Sequence, residues 1–387
     1  MALPASTPSG RYVRQPSGYE SFVPNSLPPE ALDLDRGLAV LLSDANHALG
    51  RLDGIAGAVP DRDIFLFTYI RREAVLSSQI EGTQASLMDV LEYEASLHAP
   101  GEPGNIREVL NYINAVDHGL RRLETLPVSR TLLCEVHGVL MKGVRGGEPG
   151  KTPGEFRRSQ NWIGGSSPAN ALFVPPPHTE VDQAFSDLER FLHDDSGQLP
   201  SLIRIALGHA QFETIHPFLD GNGRLGRLLI AFWLSEKGLL RDPLLYLSLY
   251  FKQHRQVYYE LLQETRTTGG WRRWLAFFLE GVAQIAREAS DTAAKIHVLR
   301  EDLRKELQAS GRRSTHALRL LDQLFRQPAV TVSSVKEILG VSQPTALSLT
   351  NHFVELGILK EMTGRQRNRV FFFDKYLMLF PEAENAI

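Results

Sequence analysis

Twelve consecutive residues, His216-Pro217-Phe218-Leu219-Asp220-Gly221-Asn222-Gly223-Arg224-Leu225-Gly226-Arg227, combine groups able to handle a polyphosphate. They lie between one helical run ending near Thr214 and another beginning at Arg224. Gly221 and Gly223 fall where the chain must turn tightly and bare its N–H groups at a helix N-terminus, which makes an anion-binding nest. Arg224 and Arg227, three apart on the first turn, point the same way and add two guanidinium forks. Two forks suit a polyphosphate better than a single carboxylate. Asp220 adds a hard oxygen of the kind Mg²⁺ takes alongside substrate phosphates. His216 is the one nearby group that accepts a proton near neutral pH. Each component alone has an ordinary structural explanation: a helix-end histidine, a surface turn, a pair of solvated arginines. Their coincidence in one loop points to chemistry on a phosphorylated substrate.

Helices must position this loop. Apolar residues at Ile64, Phe67, Ile70 and Ala74, continued by Ser77, give Asp61 to Ile80 one inward face, with Gly82 as the stop. Further amphipathic runs cover Leu87 to Leu97, Ile106 to Leu123, Arg130 to Lys142, Val181 to His193, Ser201 to Thr214 and Arg224 to Lys237. After Pro243 two more helical stretches run to about Gln308, the second starting near Trp271. Pro4, Pro8, Pro16, Pro24, Pro28 and Pro29 make the first 30 residues an extended arm. Thr152 to Pro177 breaks the helical pattern. Its two half-apolar runs, ending in Trp162-Ile163 and Phe173-Val174, flank a Gly164-Gly165-Ser166-Ser167-Pro168 turn and read as a β-hairpin closed off by three prolines.

The last segment has a different charge balance: residues 311–375 carry ten Lys/Arg against five Asp/Glu, whereas residues 1–310 carry 32 against 38. A boundary is placed at Ala309 to Thr315. Residues 331–345 read as a short helix, a turn at Gly340 and the capped start of a second helix, the grammar of a helix-turn-helix. Two strands, Ile358 to Met362 and Asn368 to Phe373, follow around Arg365, Arg367 and Arg369. This segment resembles a winged helix, and DNA binding through 331–373 is the functional expectation. Protein interaction is the alternative, because the second helix carries no Lys or Arg.

The whole chain, 387 residues with 43% apolar and 22% charged, is long enough for two or three domains and a sizeable core. A net charge of −3 confines any nucleic-acid surface to a local patch. One cysteine, Cys134, excludes an intrachain disulfide framework and leaves the reducing cytosol as the expected compartment. No apolar run approaches the roughly 20 residues of a membrane span, and Met1 to Ser9 lacks an apolar core, so a cytoplasmic protein without membrane contact is expected.

The loop resembles the Fic family signature HPFx[DE]GN[GK]RxGR at every specified position. Gly154-Glu155-Phe156-Arg157 matches the sequence that opens that family's target-positioning flap, and the likeness extends from about Asp61 to Arg266. What the resemblance implies is transfer of AMP from ATP to a hydroxyl of another protein, with release of pyrophosphate. His216 would be the base and Asp220 the Mg²⁺ ligand. Asn222, with the N–H groups of Gly221 and Gly223, would stabilise the α-phosphate, and Arg224 and Arg227 would hold the β- and γ-phosphates. Gly226 completes the nucleotide-binding set, and Phe218 would anchor the loop against the core. Trp162 and Ile163 on the flap would align the target or wall the adenine.

Ser77-Ser78-Gln79-Ile80-Glu81-Gly82 matches the family's inhibitory pattern [ST]xxxE[GN], in which Glu81 would pair with Arg227 and block the γ-phosphate. The expected fold is therefore mainly α: an N-terminal region (1–98) with the inhibitory motif, a Fic core with a β-hairpin flap (99–310) and a winged helix (311–387). The resemblance further implies a homodimer and self-modification. Removal of AMP from a modified target, another phosphate donor, and a DNA-binding regulator with a nucleotide-sensing core are the competing functions.

Overall fold

The computed structural model describes residues 6–58, 63–96, 104–194, 196, 199–309, 315–365 and 368–380. A small antiparallel sheet of β1 (Ser6–Thr7), β2 (Gly10–Arg14) and β3 (Glu20–Pro24) comes first. Helices follow: α1 (Arg36–Ala58), α2 (Asp63–Ile80), α3 (Leu87–Ser96), α4 (Gly104–Leu123) and α5 (Arg130–Leu140). Beyond the flap lie α6 (His178–His193), α7 (Ser201–Ile215), α8 (Asn222–Glu236), α9 (Ser248–Gln253), α10 (Arg255–Thr267) and α11 (Trp271–Ala309). The chain continues with α12 (Thr315–Arg326), β4 (Ala329–Val330), α13 (Val332–Leu339), α14 (Gln343–Glu355), β5 (Lys360–Glu361), β6 (Phe371–Phe372) and α15 (Asp374–Leu377). Among the described residues no helix is long and apolar enough to cross a membrane.

α7 and α8 form the centre. Every residue from Leu202 to Ile215 is buried, and so are Arg224 through Leu234. Helices apolar on all sides belong inside a core, where neighbouring helices cover each face. The loop 216–221 between them is thereby fixed at both ends by buried helices. Gly226 lets the two pack closely, because a Cβ there would collide with the Glu213 carboxylate on α7. One continuous core then runs from Leu38 to Phe380.

The N-terminal arm is folded onto the body through its sheet. Phe22 on β3 is 1% exposed, and its N–H donates to Val174 O at 2.9 Å. Ser9 and Thr7 donate their hydroxyls to the carbonyls of Thr265 and Arg266 on α10. α1, which the proline-rich stretch before it and its own glycines disguise in the sequence, packs along α11. The region after Pro243 contains three helices, since the chain bends at His254 between α9 and α10.

The C-terminal unit has the expected helix-turn-helix. Ser342 caps α14 by accepting from Thr345 N, and Gly340 ends α13 in the left-handed conformation. Its strands are shorter than expected and join β4 in a sheet of order β4-β6-β5. The start of the expected helix at 61–62, the 98/99 division, residues 310–314 of the expected boundary and Arg367 lie outside the described residues. The unit rests on the inhibitory-motif helix: Tyr376 donates its hydroxyl to Ile64 O at 2.9 Å and contacts Thr68 Oγ1 at 3.1 Å.

Candidate active site

His216 terminates α7 in the left-handed region at φ 51°, a conformation that costs a non-glycine residue energy and needs enforcement by its surroundings. The enforcement is visible. The His216 carbonyl accepts from Arg157 Nε (2.9 Å) and Asn161 Nδ2 (3.2 Å), and Pro217 O accepts from Arg157 N (2.9 Å). Phe218 then plunges into the core, stacked on His137 with centroids 3.8 Å apart. The flap's opening sequence thus clamps the loop through its guanidinium and amide.

Asn222 closes the loop from the other side. Its Oδ1 accepts from Phe218 N at 2.9 Å and its Nδ2 donates to Phe218 O at 2.8 Å. The side chain expected at the α-phosphate is therefore committed to the loop itself, and what faces the cleft at this position is backbone at the start of α8. Gly221, at φ 77°, caps that helix, and a side chain there would strike Met141 Sδ. Gly226, grouped with the nucleotide ligands in the sequence reading, faces α7 and does not line the cleft. Small size makes room for Met141 at Gly221 and for α7 at Gly226.

The cleft itself measures about 1050 Å³. His216, Asp220, Gly221, Asn222, Gly223, Arg224 and Arg227 line one wall, with Glu81, Trp162 and Ile163 around the rim. Burial pushes the His216 pKa down to about 3, and the positive charges of Arg157 and Arg266 add to the shift. The imidazole is consequently neutral at pH 7, the state a base requires. Arg224 is 4% exposed, with Nε and Nη1 lacking hydrogen-bond partners and Glu108 Oε2 no nearer than 3.8 Å. A buried guanidinium with unused donors beside a helix N-terminus is suited to an anion.

Arg227, in contrast, is engaged at Nε and Nη2. Nε donates to Ser77 Oγ (2.9 Å), and Nη2 donates to Ser77 O (2.8 Å) and Glu81 Oε1 (2.8 Å). A Cβ on Gly223 would run into the Glu81 carboxylate, which places that carboxylate against the first turn of α8. Ser77 lies buried behind Arg227.

Asp220 projects one oxygen into solvent. Its Oδ1 accepts from Gly221 N at 2.7 Å, while Oδ2 faces Lys151 Nζ at 3.6 Å. Its carbonyl is held by His137, whose Nδ1 accepts from Gly154 N (2.8 Å), so that Nε2–H donates to Asp220 O (2.9 Å). Burial pushes the His137 pKa down to about 4, keeping this bridge neutral. A lone histidine in a helical run gave no signal of that role. Lys151, Glu108, Glu213, and Tyr258 with Arg266 on α10 were likewise not singled out from the sequence; they enter the site only through the fold.

The flap turns back antiparallel at the expected residues, but its ladder is short. Pairing is limited to one bridge between Ile163 and Phe173. The prolines after Val174 have no N–H, and their carbonyls are taken by side chains: Gln160 Nε2 donates to Pro175 O (3.0 Å) and Arg157 Nη2 to Pro176 O (2.6 Å). Arg266 lies over the Phe173 ring at 3.9 Å and fixes the far side. Trp162 and Leu172 remain 40% and 81% exposed at the tip. Between β5 and β6, Arg365 pairs with Glu92 at 2.6 Å and Arg369 lies over Phe371.

Comparison with known proteins agrees with this geometry. A probable protein adenylyltransferase of Aquifex aeolicus is 30% identical over 182 residues, 46% of this chain and 51% of that one. Protein adenylyltransferase Fic of Culex quinquefasciatus is 36% identical over 111 residues, 28% of this chain and 20% of its own. The chain thus spans between a fifth and about half of the length of these curated relatives. A Fic family protein from Desulfovibrio desulfuricans shares the fold, with a TM-score of 0.55 at 20% identity over 90% of this chain and 98% of that one. Residues 39–121 match the Fic/DOC family N-terminal model and residues 127–234 the Fic/DOC family model, so the chain carries the Fic N-terminal and Fic domains.

Proposed function

We propose that this protein is a protein adenylyltransferase restrained by its own Glu81: it moves AMP from ATP to a Ser, Thr or Tyr hydroxyl and releases pyrophosphate. The observation that carries the reading is the placement, in one cleft, of a neutral His216 beside a helix N-terminus whose Arg224 has unused buried donors. His216 accepts the proton of the target hydroxyl as that oxygen attacks the α-phosphorus in line. The backbone N–H groups of Asn222 and Gly223 meet the charge developing on the α-phosphate, since the Gly221 N–H is already given to Asp220 Oδ1. Arg224 holds the next phosphate, and Arg227 is reserved for the last.

Mg²⁺ fits Asp220. That carboxylate has one oxygen fixed by Gly221 N and the other open to the cleft, and no group of three or more His, Cys, Asp or Glu stands together among the described residues. Such a donor set suits an ion arriving with the nucleotide rather than a resident protein cage. When bound, Mg²⁺ neutralises charge between adjacent phosphates. Lys151, now facing Asp220, would be displaced toward the phosphates.

Self-modification, a homodimer and a cytoplasmic location remain part of this proposal. The C-terminal segment is proposed as a winged helix, with the division of the chain near 99 and 311. DNA contact through 331–373 is kept as an alternative, with Arg365 paired to Glu92 and Arg369 over Phe371.

The test is incubation with labelled ATP and Mg²⁺, with and without lysate proteins, followed by mass spectrometry for an added AMP. His216→Ala should lose at least about 10²-fold in transfer while keeping nucleotide affinity. Asp220→Ala should lose both metal-dependent affinity and rate. Unchanged turnover in His216→Ala would overturn the reading.

A further inference from the structure

One buried acid beside the proposed base has no assigned task. Glu213 lies on the last turn of α7, three residues before His216, and is 6% exposed. Its Oε1 is buried without a hydrogen-bond partner. The neighbouring cations are occupied elsewhere. Arg227 gives its donors to Ser77 and Glu81, and Arg266 donates to the backbone O of Glu213 and to Thr214 Oγ1, not to the carboxylate. A buried carboxylate left with an open oxygen is costly, and such sites are often functional.

A second orphan stands nearest its other oxygen. His216 Nδ1 is buried with no hydrogen-bond partner, and it stands 3.9 Å from Glu213 Oε2. His216 also lines the cleft.

We propose that Glu213 is the positioning carboxylate of His216: it selects the tautomer with the proton on Nδ1, leaves the Nε2 lone pair toward the incoming hydroxyl, and stabilises the imidazolium formed during transfer. The inference rests on the adenylyl-transfer reading given above. In the step, the target O–H bond breaks and its proton moves to Nε2. The oxygen–phosphorus bond forms, the bond to the β-phosphate oxygen breaks, and pyrophosphate leaves with its electron pair. The Nδ1 proton stays on His216 and is held by Glu213 through a hydrogen bond that shortens as the ring becomes cationic. Pyrophosphate or solvent then takes the Nε2 proton.

The charges facing the pair come from each packed element: Arg227 from α8, Glu81 from the turn after α2, Arg266 and Tyr258 from α10, and Arg157 from the flap. Burial raises the Glu213 pKa to about 7; Arg227 and Arg266 oppose the rise and Glu81 adds to it. Once protonated, Glu213 no longer serves as the acceptor. Transfer therefore falls as pH drops through the Glu213 titration, well above the range in which His216 itself protonates.

Two measurements on the full chain test this. In the first, transfer from Mg²⁺-ATP is followed from about pH 5.5 to 8.5 in a Glu81→Gly background, where loss of a like charge moves the Glu213 titration somewhat below its present position. Adding Glu213→Gln should cut kcat about tenfold or more at pH 8, leave the KM for ATP nearly unchanged and remove that acid limb. Glu213→Asp should restore part of the rate and the limb. In the second, ¹⁵N-histidine spectra of the substrate-free protein should assign the His216 proton to Nδ1 in the wild type, with that preference lost in Glu213→Gln.

An unaltered pH profile in Glu213→Gln, or an unaltered His216 tautomer, overturns the inference. If His216→Ala retains transfer, the functional reading itself fails. If no variant transfers AMP, the spectra still decide whether Glu213 sets the tautomer.

Discussion

Arg227 and Glu81 are 146 residues apart in sequence and 2.8 Å apart in space. The arginine side chain is 1% exposed and the glutamate 35%, so the acidic member of the pair is the one toward solvent. α2 delivers two groups to one guanidinium, Ser77 from its last turn but one and Glu81 from the turn that follows it. Both must be released, or rearranged, before Arg227 Nε and Nη2 can serve a phosphate.

Glu81→Gly should therefore raise AMP transfer, including transfer onto the protein's own side chains, by roughly ten- to a hundredfold, the effect of freeing one charge-assisted contact. Arg227→Ala should not mimic it, since that variant loses the restraint and the phosphate ligand together. The double variant should stay as slow as Arg227→Ala. A double-mutant cycle on transfer rates reads this non-additivity, and additive effects would separate the two residues.

The catalytic loop was legible in the sequence because its chemistry is contiguous: base, acid, glycines and arginines occupy twelve residues, and both flanking helices show their apolar faces. The Glu81–Arg227 contact was accessible only through the family pattern, because no local rule connects α2 to α8. His137 and Glu213 were not legible at all. Their roles depend on which polar atoms the fold leaves facing one another, and a helical run containing a single histidine or glutamate looks the same whether that group is solvated or buried. The flap pairs antiparallel where the hairpin reading put it, at Ile163 and Phe173, but no further, because Arg157, Gln160 and the prolines take the backbone groups a longer ladder would need.

The flap's construction separates two of its tasks. Arg157 and Asn161 hold the catalytic loop, whereas Trp162 and Leu172 stand exposed at the tip. Trp162→Gly, or deletion of residues 164–170, should slow modification of a protein target more than about tenfold while changing ATP affinity little, because orientation of the attacking hydroxyl enters the transition state directly. Arg157→Ala should instead impair transfer to every acceptor, water included, by loosening the backbone at His216. Parallel losses of nucleotide affinity and transfer in the tip variants would assign the tip to the nucleotide pocket.

α2 also carries a pH-sensitive group. Glu73 is fully buried, and its Oε1 accepts from the hydroxyls of Tyr112 (2.9 Å) and Ser248 (2.5 Å) while Oε2 has no partner. Burial raises its pKa from 4.5 to about 7, with those two hydrogen bonds and Arg227 opposing the rise. The folded state therefore binds more protons than the unfolded state between those two values, and stability falls as pH rises through that window. Glu73→Gln keeps the acceptor and removes the titration. Its melting temperature relative to wild type should increase from pH 5 to pH 8, by about 2 °C or more for a chain of this size, and then level off. Glu81 is presented by the same helix, so wild type should also become less restrained toward pH 8, while Glu73→Gln should hold its restraint across the range. A difference in melting temperature that does not change with pH would place the ionisation of Glu73 outside this interval and detach it from the behaviour of α2.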